Sequence, residues 1–208
     1  VNQSNSKIMI IGASGTIGRA IVAALGPSHE LVLVSRRTVP IAVDIQDPES
    51  IAAMYRAVGK IDAVISSAGD VAFAPLAKLS DADFDYSLKN MLMGQVNLVR
   101  CGLSSDADRG SFTLTAGTLS RSPMPGGAAI SLVTAGLEGF VRAVALEAPR
   151  GIRVNVVSPP WVTETLKARG MDLSNSLPAA VIARSYLESL FGQGSGAGFE
   201  PKADLSLL

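Results

Sequence analysis

The chain has 208 residues and a mass of 21.5 kDa, so a single domain is expected, with about 70% of its unfolded surface leaving water on folding. Eighteen Lys and Arg balance eighteen Asp and Glu, which leaves no basic excess for a run of phosphates and argues against nucleic acid as a partner. One cysteine, Cys101, excludes an internal disulfide framework, and one histidine, His29, excludes a His-rich metal site. A Ser-His-Asp hydrolase would have to use His29, which sits between Pro27 and Glu30 in turn-forming sequence. No apolar run is long enough to span a membrane, and no signal-peptide pattern stands at the N-terminus. The expectation is a compact soluble protein of the cytoplasm.

Residues 8–11 are an unbroken apolar run ending at Gly12. Ile17, Ala20, Ile21, Ala24 and Leu25 then recur at helical spacing. A second run, 31–34, closes at Ser35, and a third, 63–65, closes at Ser66. Leu88, Leu92, Val96 and Val99 place a helix across about 81–103. Residues 112–115 are more polar but rich in β-branched side chains, and 152–157 form another apolar run before Pro159. The Gly-rich stretch 192–198 reads as a turn before a last strand, with a disordered tail allowed after about 201. Unbroken apolar runs suit strands buried on both faces of a parallel sheet. Their alternation with helices predicts a doubly wound α/β Rossmann fold, a central parallel sheet flanked by helices, as one domain over 1–208.

The first strand runs into Gly12-Ala13-Ser14-Gly15-Thr16-Ile17-Gly18 and then into a helix. Glycines in that place let the backbone turn tightly and let a pyrophosphate approach the helix N-terminus, where free N–H groups favour an anion. The second strand ends Val34-Ser35-Arg36-Arg37 with no acidic residue for a ribose 2′-hydroxyl. The planar donor fork of Arg36 or Arg37 suits a 2′-phosphate instead, so NADP(H) is the expected cofactor.

With these features the sequence resembles the short-chain dehydrogenase/reductase family along nearly its whole length. Gly12, Gly15 and Gly18 look like its cofactor turn, with the middle glycine one place earlier than in the commonest pattern. Asp44, followed by Ile45, looks like the family's adenine-contacting Asp. Ser66-Ser67-Ala68-Gly69 is similar to its Asn-Asn-Ala-Gly segment. Residues 126–147 resemble the family's fifth helix, and 151–159 its sixth strand and following proline. The resemblance implies cofactor contacts from Ser67, Ala68, Gly69, Pro159, Trp161 and Val162, although Pro160 replaces a glycine. It also implies a substrate lid shorter than usual between Pro160 and Pro178, hence a small or open pocket.

The catalytic residues of the family are missing. Its Tyr and Lys fall on Ile130 and Thr134, its Ser on Gly117, and its Asn on Met91, with Asn90 one place off. The three tyrosines, Tyr55, Tyr86 and Tyr186, are followed four places on by Gly59, Asn90 and Leu190, so no Tyr-x-x-x-Lys exists. The hydroxyls of Thr115, Thr118, Ser131 and Thr134 are left as candidates to orient a carbonyl while water supplies the proton. The expected activity is an NADP(H)-dependent reduction of a small carbonyl or activated alkene by a non-standard proton relay. The alternative is an inactive NADP(H)-binding sensor or assembly protein. The fifth helix is apolar on most sides, with Glu138 and Arg142 spaced to pair and Gly136 and Gly139 offering close approach. A homodimer or homotetramer through the fourth and fifth helices is therefore expected.

Overall fold

A computed structural model describes residues 5–37 and 41–203. Its strands are β1 (Lys7–Ile11), β2 (Glu30–Ser35), β3 (Ile41–Ala42), β4 (Ile61–Ser66), β5 (Asp106–Thr115), β6 (Arg153–Val157), β7 (Trp161–Val162), β8 (Ser176–Leu177) and β9 (Gly198–Phe199). Its helices are α1 (Thr16–Leu25), α2 (Pro48–Val58), α3 (Asp81–Ser87), α4 (Gly94–Gly102), α5 (Ala128–Val144), α6 (Thr163–Ala168) and α7 (Ala179–Phe191). Seven strands form one parallel sheet in the order β3-β2-β1-β4-β5-β6-β9. The sequence had not signalled β3 or the small β7–β8 ribbon, because two-residue strands carry no periodicity. The tail lies outside the described residues from 204 on.

The apolar runs are buried on both faces, as a doubly wound sheet requires. On one face Ile8, Ile10, Ala63 and Ile65 pack with Ile21 and Leu25 of α1 and Ile182 and Tyr186 of α7. On the other, Met9, Ile11, Val64, Phe112 and Leu114 pack with Ile51 of α2, Leu98 of α4 and Val133 and Leu137 of α5. The chain leaves β1 toward β2 and β3, then crosses to β4 on the opposite side of β1. That reversal opens a crevice at the carboxyl ends of β1 and β4, where open α/β sheets take ligands.

Helix starts differ in a way that matters for this crevice. In α2, Asp47 accepts a hydrogen bond from the Glu49 N–H at 2.9 Å, and α3 opens with a reciprocal Ser80–Asp83 capping box. Gly15 caps α1 with no side chain, so its first N–H groups lack a side-chain acceptor.

The helix expected across 81–103 is not continuous. A π turn over Leu88–Met93 separates α3 from α4 and changes the register by which side chains face the sheet. Buried Gln95 anchors the start of α4: its Nε2 donates to the Thr115 carbonyl at 2.7 Å, and its Oε1 accepts from the Thr115 N–H at 2.8 Å. The expected Glu138–Arg142 pair in α5 is also corrected. Glu138 turns inward to Ser120, Ser158 and Arg121, while Arg142 stays exposed. Among the described residues, no helix is long and apolar enough to cross a membrane.

Candidate active site

Two adjoining cavities occupy the crevice and share Ser67, Ala68 and Gly69 at the end of β4. The first, about 270 Å³, is lined by Gly12, Ser14, Gly15, Ser35, Arg36, Asp44, Ile45, Asp70 and Asn90, with Ile11 and Val43 beneath. Arg36 thus faces the cavity, whereas Arg37 is exposed and does not line it, which separates two arginines that the sequence left equivalent.

The glycines here are steric requirements. A Cβ on Gly18 would lie 2.1 Å from the Gly12 carbonyl oxygen, and one on Gly12 would meet the Ala68 nitrogen at 2.9 Å with φ at +84°. Gly18 therefore packs α1 against the turn without lining either cavity. Thr16 does not line them either; Ile17 lines the second cavity. Arg19, one turn into α1, donates to the Ser14 carbonyl at 2.5 Å and brings a cation beside the turn. Its arginine in the Gly18-Arg19 step was visible in the sequence but had no partner assigned.

The second cavity, about 200 Å³, is lined by Ile17, Met91, Thr115, Gly117, Thr118, Leu119, Ile130, Pro159, Pro160 and Trp161 besides the shared segment. Met91 does lie beneath Gly69: a Cβ there would meet its sulfur at 2.6 Å. The polar contact to this segment comes from Asn90 instead, whose Oδ1 accepts from the Asp70 N–H at 2.8 Å. The π turn is what lets both neighbours face the crevice, so the one-residue offset that spoke against Asn90 does not hold in the fold. Asp70 in turn accepts from the Tyr86 hydroxyl at 2.7 Å, and that hydrogen bond, with burial adding to it, holds the Tyr86 phenol above its ordinary pKa.

The four candidate hydroxyls have different fates. Thr134 is fully buried and donates to the Ile130 carbonyl in its own helix at 2.7 Å. Ser131 donates to the Leu119 carbonyl at 2.7 Å. Neither lines a cavity. Thr115 does, but its single proton goes to the Ser66 carbonyl at 2.6 Å, so it must accept from the Tyr186 hydroxyl at 2.5 Å. That chain ends on a carbonyl and cannot pass a proton on. Burial raises the Tyr186 phenol well above its ordinary pKa, which removes it as a phenolate base. Thr118 lines the cavity, and its hydroxyl makes no hydrogen bond to a described residue.

Sequence reasoning missed the frame around Thr118. Buried Glu138 accepts from the Ser158 hydroxyl at 2.8 Å and the Ser120 hydroxyl at 3.0 Å, and the Thr118 N–H donates to the Pro159 carbonyl at 3.1 Å. Both walls of the cavity are thereby tied to α5. Val162, expected at the cofactor, instead pairs with Leu177 in the β7–β8 ribbon and does not line the cavity.

The family model described as Enoyl-(Acyl carrier protein) reductase matches residues 19–194, and the chain belongs to the short-chain dehydrogenase/reductase family. It is 30% identical over 128 residues to the acetoacetyl-CoA reductase of Cupriavidus necator, covering 60% of this chain and spanning about half, 52%, of that relative's length. The structure of protein lin1944 from Listeria innocua is 37% identical, with a TM-score of 0.91 over 95% of this chain and all of that one. A small-chain dehydrogenase in complex with NADPH shares the fold at a TM-score of 0.84 and 22% identity, over 95% and 96% of the two chains. The family is one of oxidoreductases that use nicotinamide dinucleotides.

Proposed function

We propose that this protein is an NADP(H)-dependent reductase of a small carbonyl compound or activated alkene, working without the family's proton relay. The observation that carries this reading is the pair of cavities joined at Ser67-Ala68-Gly69, with Arg36 in one and the free Thr118 hydroxyl in the other. The glycine turn fits a dinucleotide, since Gly12 and Gly18 keep the backbone close where any Cβ would collide. Gly12, Ser14 and Gly15 would hold the pyrophosphate at the open start of α1. Ser35 and Arg36 would hold the 2′-phosphate, with Asp44 and Ile45 on the adenine side. Ser67, Ala68, Gly69, Ile17, Pro159 and Trp161 would flank the nicotinamide half.

When bound, the cofactor supplies the hydride. The chain's own share is orientation and exclusion of water: Thr118 donates to the substrate oxygen, and Ile17, Ile130 and Pro159 keep the site dry. The cavity lining contains no acid or base, so the proton comes from solvent. A positioned acid is worth roughly 10²- to 10⁴-fold, so slow turnover is expected. The same missing acid favours a second reading, an NADP(H)-binding sensor or assembly protein. Steady NADPH consumption with a carbonyl substrate, above the rate without protein, supports the reductase; tight NADPH binding with no consumption by any carbonyl supports the sensor.

We further propose a homodimer or homotetramer through α4 and α5. Leu132 of α5 is 50% exposed, Leu146 in the turn after it 90%, and Met93 before α4 39%. Gly136 is not free for a partner, because Leu92 of the same chain lies 3.2 Å from where its Cβ would be. Light scattering at micromolar concentration is expected to give a multiple of 21.5 kDa; the monomer mass would overturn the assembly.

A further inference from the structure

Resting on the reductase reading, we infer the class of substrate: an electrically neutral carbonyl compound whose groups beside the reacting carbon are small and hydrocarbon. Carboxylates, phosphates and ammonium groups next to that carbon are excluded.

Three observations carry this. First, among the described residues no titratable side chain lines the second cavity. The charged groups nearby are already engaged or lie elsewhere. Glu138 is spent on Ser120, Ser158 and Arg121 behind the wall, and Arg121 also pairs with Glu200 at 3.1 Å. Arg36 and Asp70 line only the other cavity. A charge brought in with the substrate would therefore lose its water and gain no counter-charge, a cost of several kcal/mol for an unpaired ion. Second, the side-chain hydrogen-bonding groups left over are few and uncharged. Thr115 has given its proton to Ser66 and Ser67 donates to the Ile11 carbonyl at 3.3 Å, which leaves the Thr118 hydroxyl and the Trp161 indole N–H as donors. Third, size and entrance are apolar. About 200 Å³ must take both the nicotinamide and the substrate, which leaves room only for small groups beside the reacting carbon. Trp161 on the rim meets Phe73 edge-on, with ring centroids 5.9 Å apart and planes at 82°. Gly126, at φ +84°, allows Phe73 that approach, since a Cβ would stand 3.2 Å from its ring.

Trp161 is the chain's sole tryptophan, so its fluorescence reports directly on the cavity. NADPH binding is established first by calorimetry; the reduced form is used because its nicotinamide is neutral, whereas that of NADP⁺ would itself offer a carboxylate a counter-charge. The cofactor-saturated protein is then titrated with isobutyramide and with isobutyrate, which have nearly the same shape and differ in charge beside the carbonyl. Isobutyramide is expected to perturb Trp161 and to bind roughly 30-fold or more tightly than isobutyrate. Equal binding, tighter isobutyrate, or no binding of either to the cofactor complex would overturn the substrate class while leaving the cofactor assignment standing. Failure of NADPH to bind would instead overturn the reductase reading, and the substrate class with it. Ile130 is half-buried in the lining, so Ile130→Lys adds a cation at the cavity without charging the core. That variant is expected to reverse the preference toward isobutyrate, and an unchanged preference would count against the inference.

Discussion

The two cavities are built from different material. The one beside Arg36 is made of glycine backbone, an open helix start and a few charged side chains, Arg36, Asp44 and Asp70. The one beside Thr118 is made of apolar side chains and three hydroxyls, of which Ser67 and Thr115 already serve the backbone. Dinucleotide recognition rests mainly on main-chain shape, which a few glycines preserve. Proton transfer rests on particular side chains, and among the described residues the lining of the second cavity holds no titratable one. On the proposed reading, one half of a reductase persists while the other takes a different chemistry.

Gly18→Ala is the severest way to break the first half. Its methyl group would stand 2.1 Å from the Gly12 oxygen, against backbone that cannot yield cheaply. A loss of about 3 kcal/mol in denaturant unfolding is expected, together with loss of NADPH binding. Arg36→Ala should weaken NADPH by about tenfold or more and leave NADH unchanged in parallel calorimetric titrations. Arg37→Ala should change neither, because Arg37 does not line the cavity.

Tyr186→Phe tests the floor of the second half. Removing the hydroxyl leaves Thr115 without its donor and should cost about 1 kcal/mol. It should also flatten the alkaline fall in stability. Burial raises the folded pKa of Tyr186, so the folded chain holds this proton more tightly than the unfolded chain. That contribution is fully present below the ordinary tyrosine pKa of about 10 and fades as pH rises toward the raised value. Urea unfolding on both sides of pH 10 measures it. Little gain in rate is expected from Ile130→Tyr with Thr134→Lys. Thr134 is fully buried, and Gly117 and Met91 still supply no hydroxyl or amide. Initial rates should stay within about tenfold of the parent, since groups acting as one unit do not add singly.

The sheet was legible because β1, β2 and β4 centre on unbroken apolar runs that end in turn chemistry, while the more polar β5 showed only its β-branched end at 112–115. The glycine turn was legible for the same reason: its constraint is local. The Glu138 frame was not, since it joins residues 120, 138 and 158 from three separate segments. Helical spacing suggested Arg142 as the partner of Glu138, but burial against two serines won. Asn90, one place off the family's position, needed a shifted register to reach the crevice, and sequence gives no sign of the π turn that supplies it. Arg36 and Arg37 were indistinguishable because which of two consecutive residues at a strand end faces a crevice depends on the packing around it.

The most direct test follows nicotinamide absorbance when the NADPH-saturated protein meets a saturating neutral ketone, across about pH 7 to 9. With no ionisable side chain in the cavity lining, oxidation should be slow, exceed the rate without protein, and show no titration inflection in that range. An inflection there would reveal a protein acid or base at the substrate and contradict the solvent-proton mechanism. Oxidation no faster than without protein would contradict catalysis altogether.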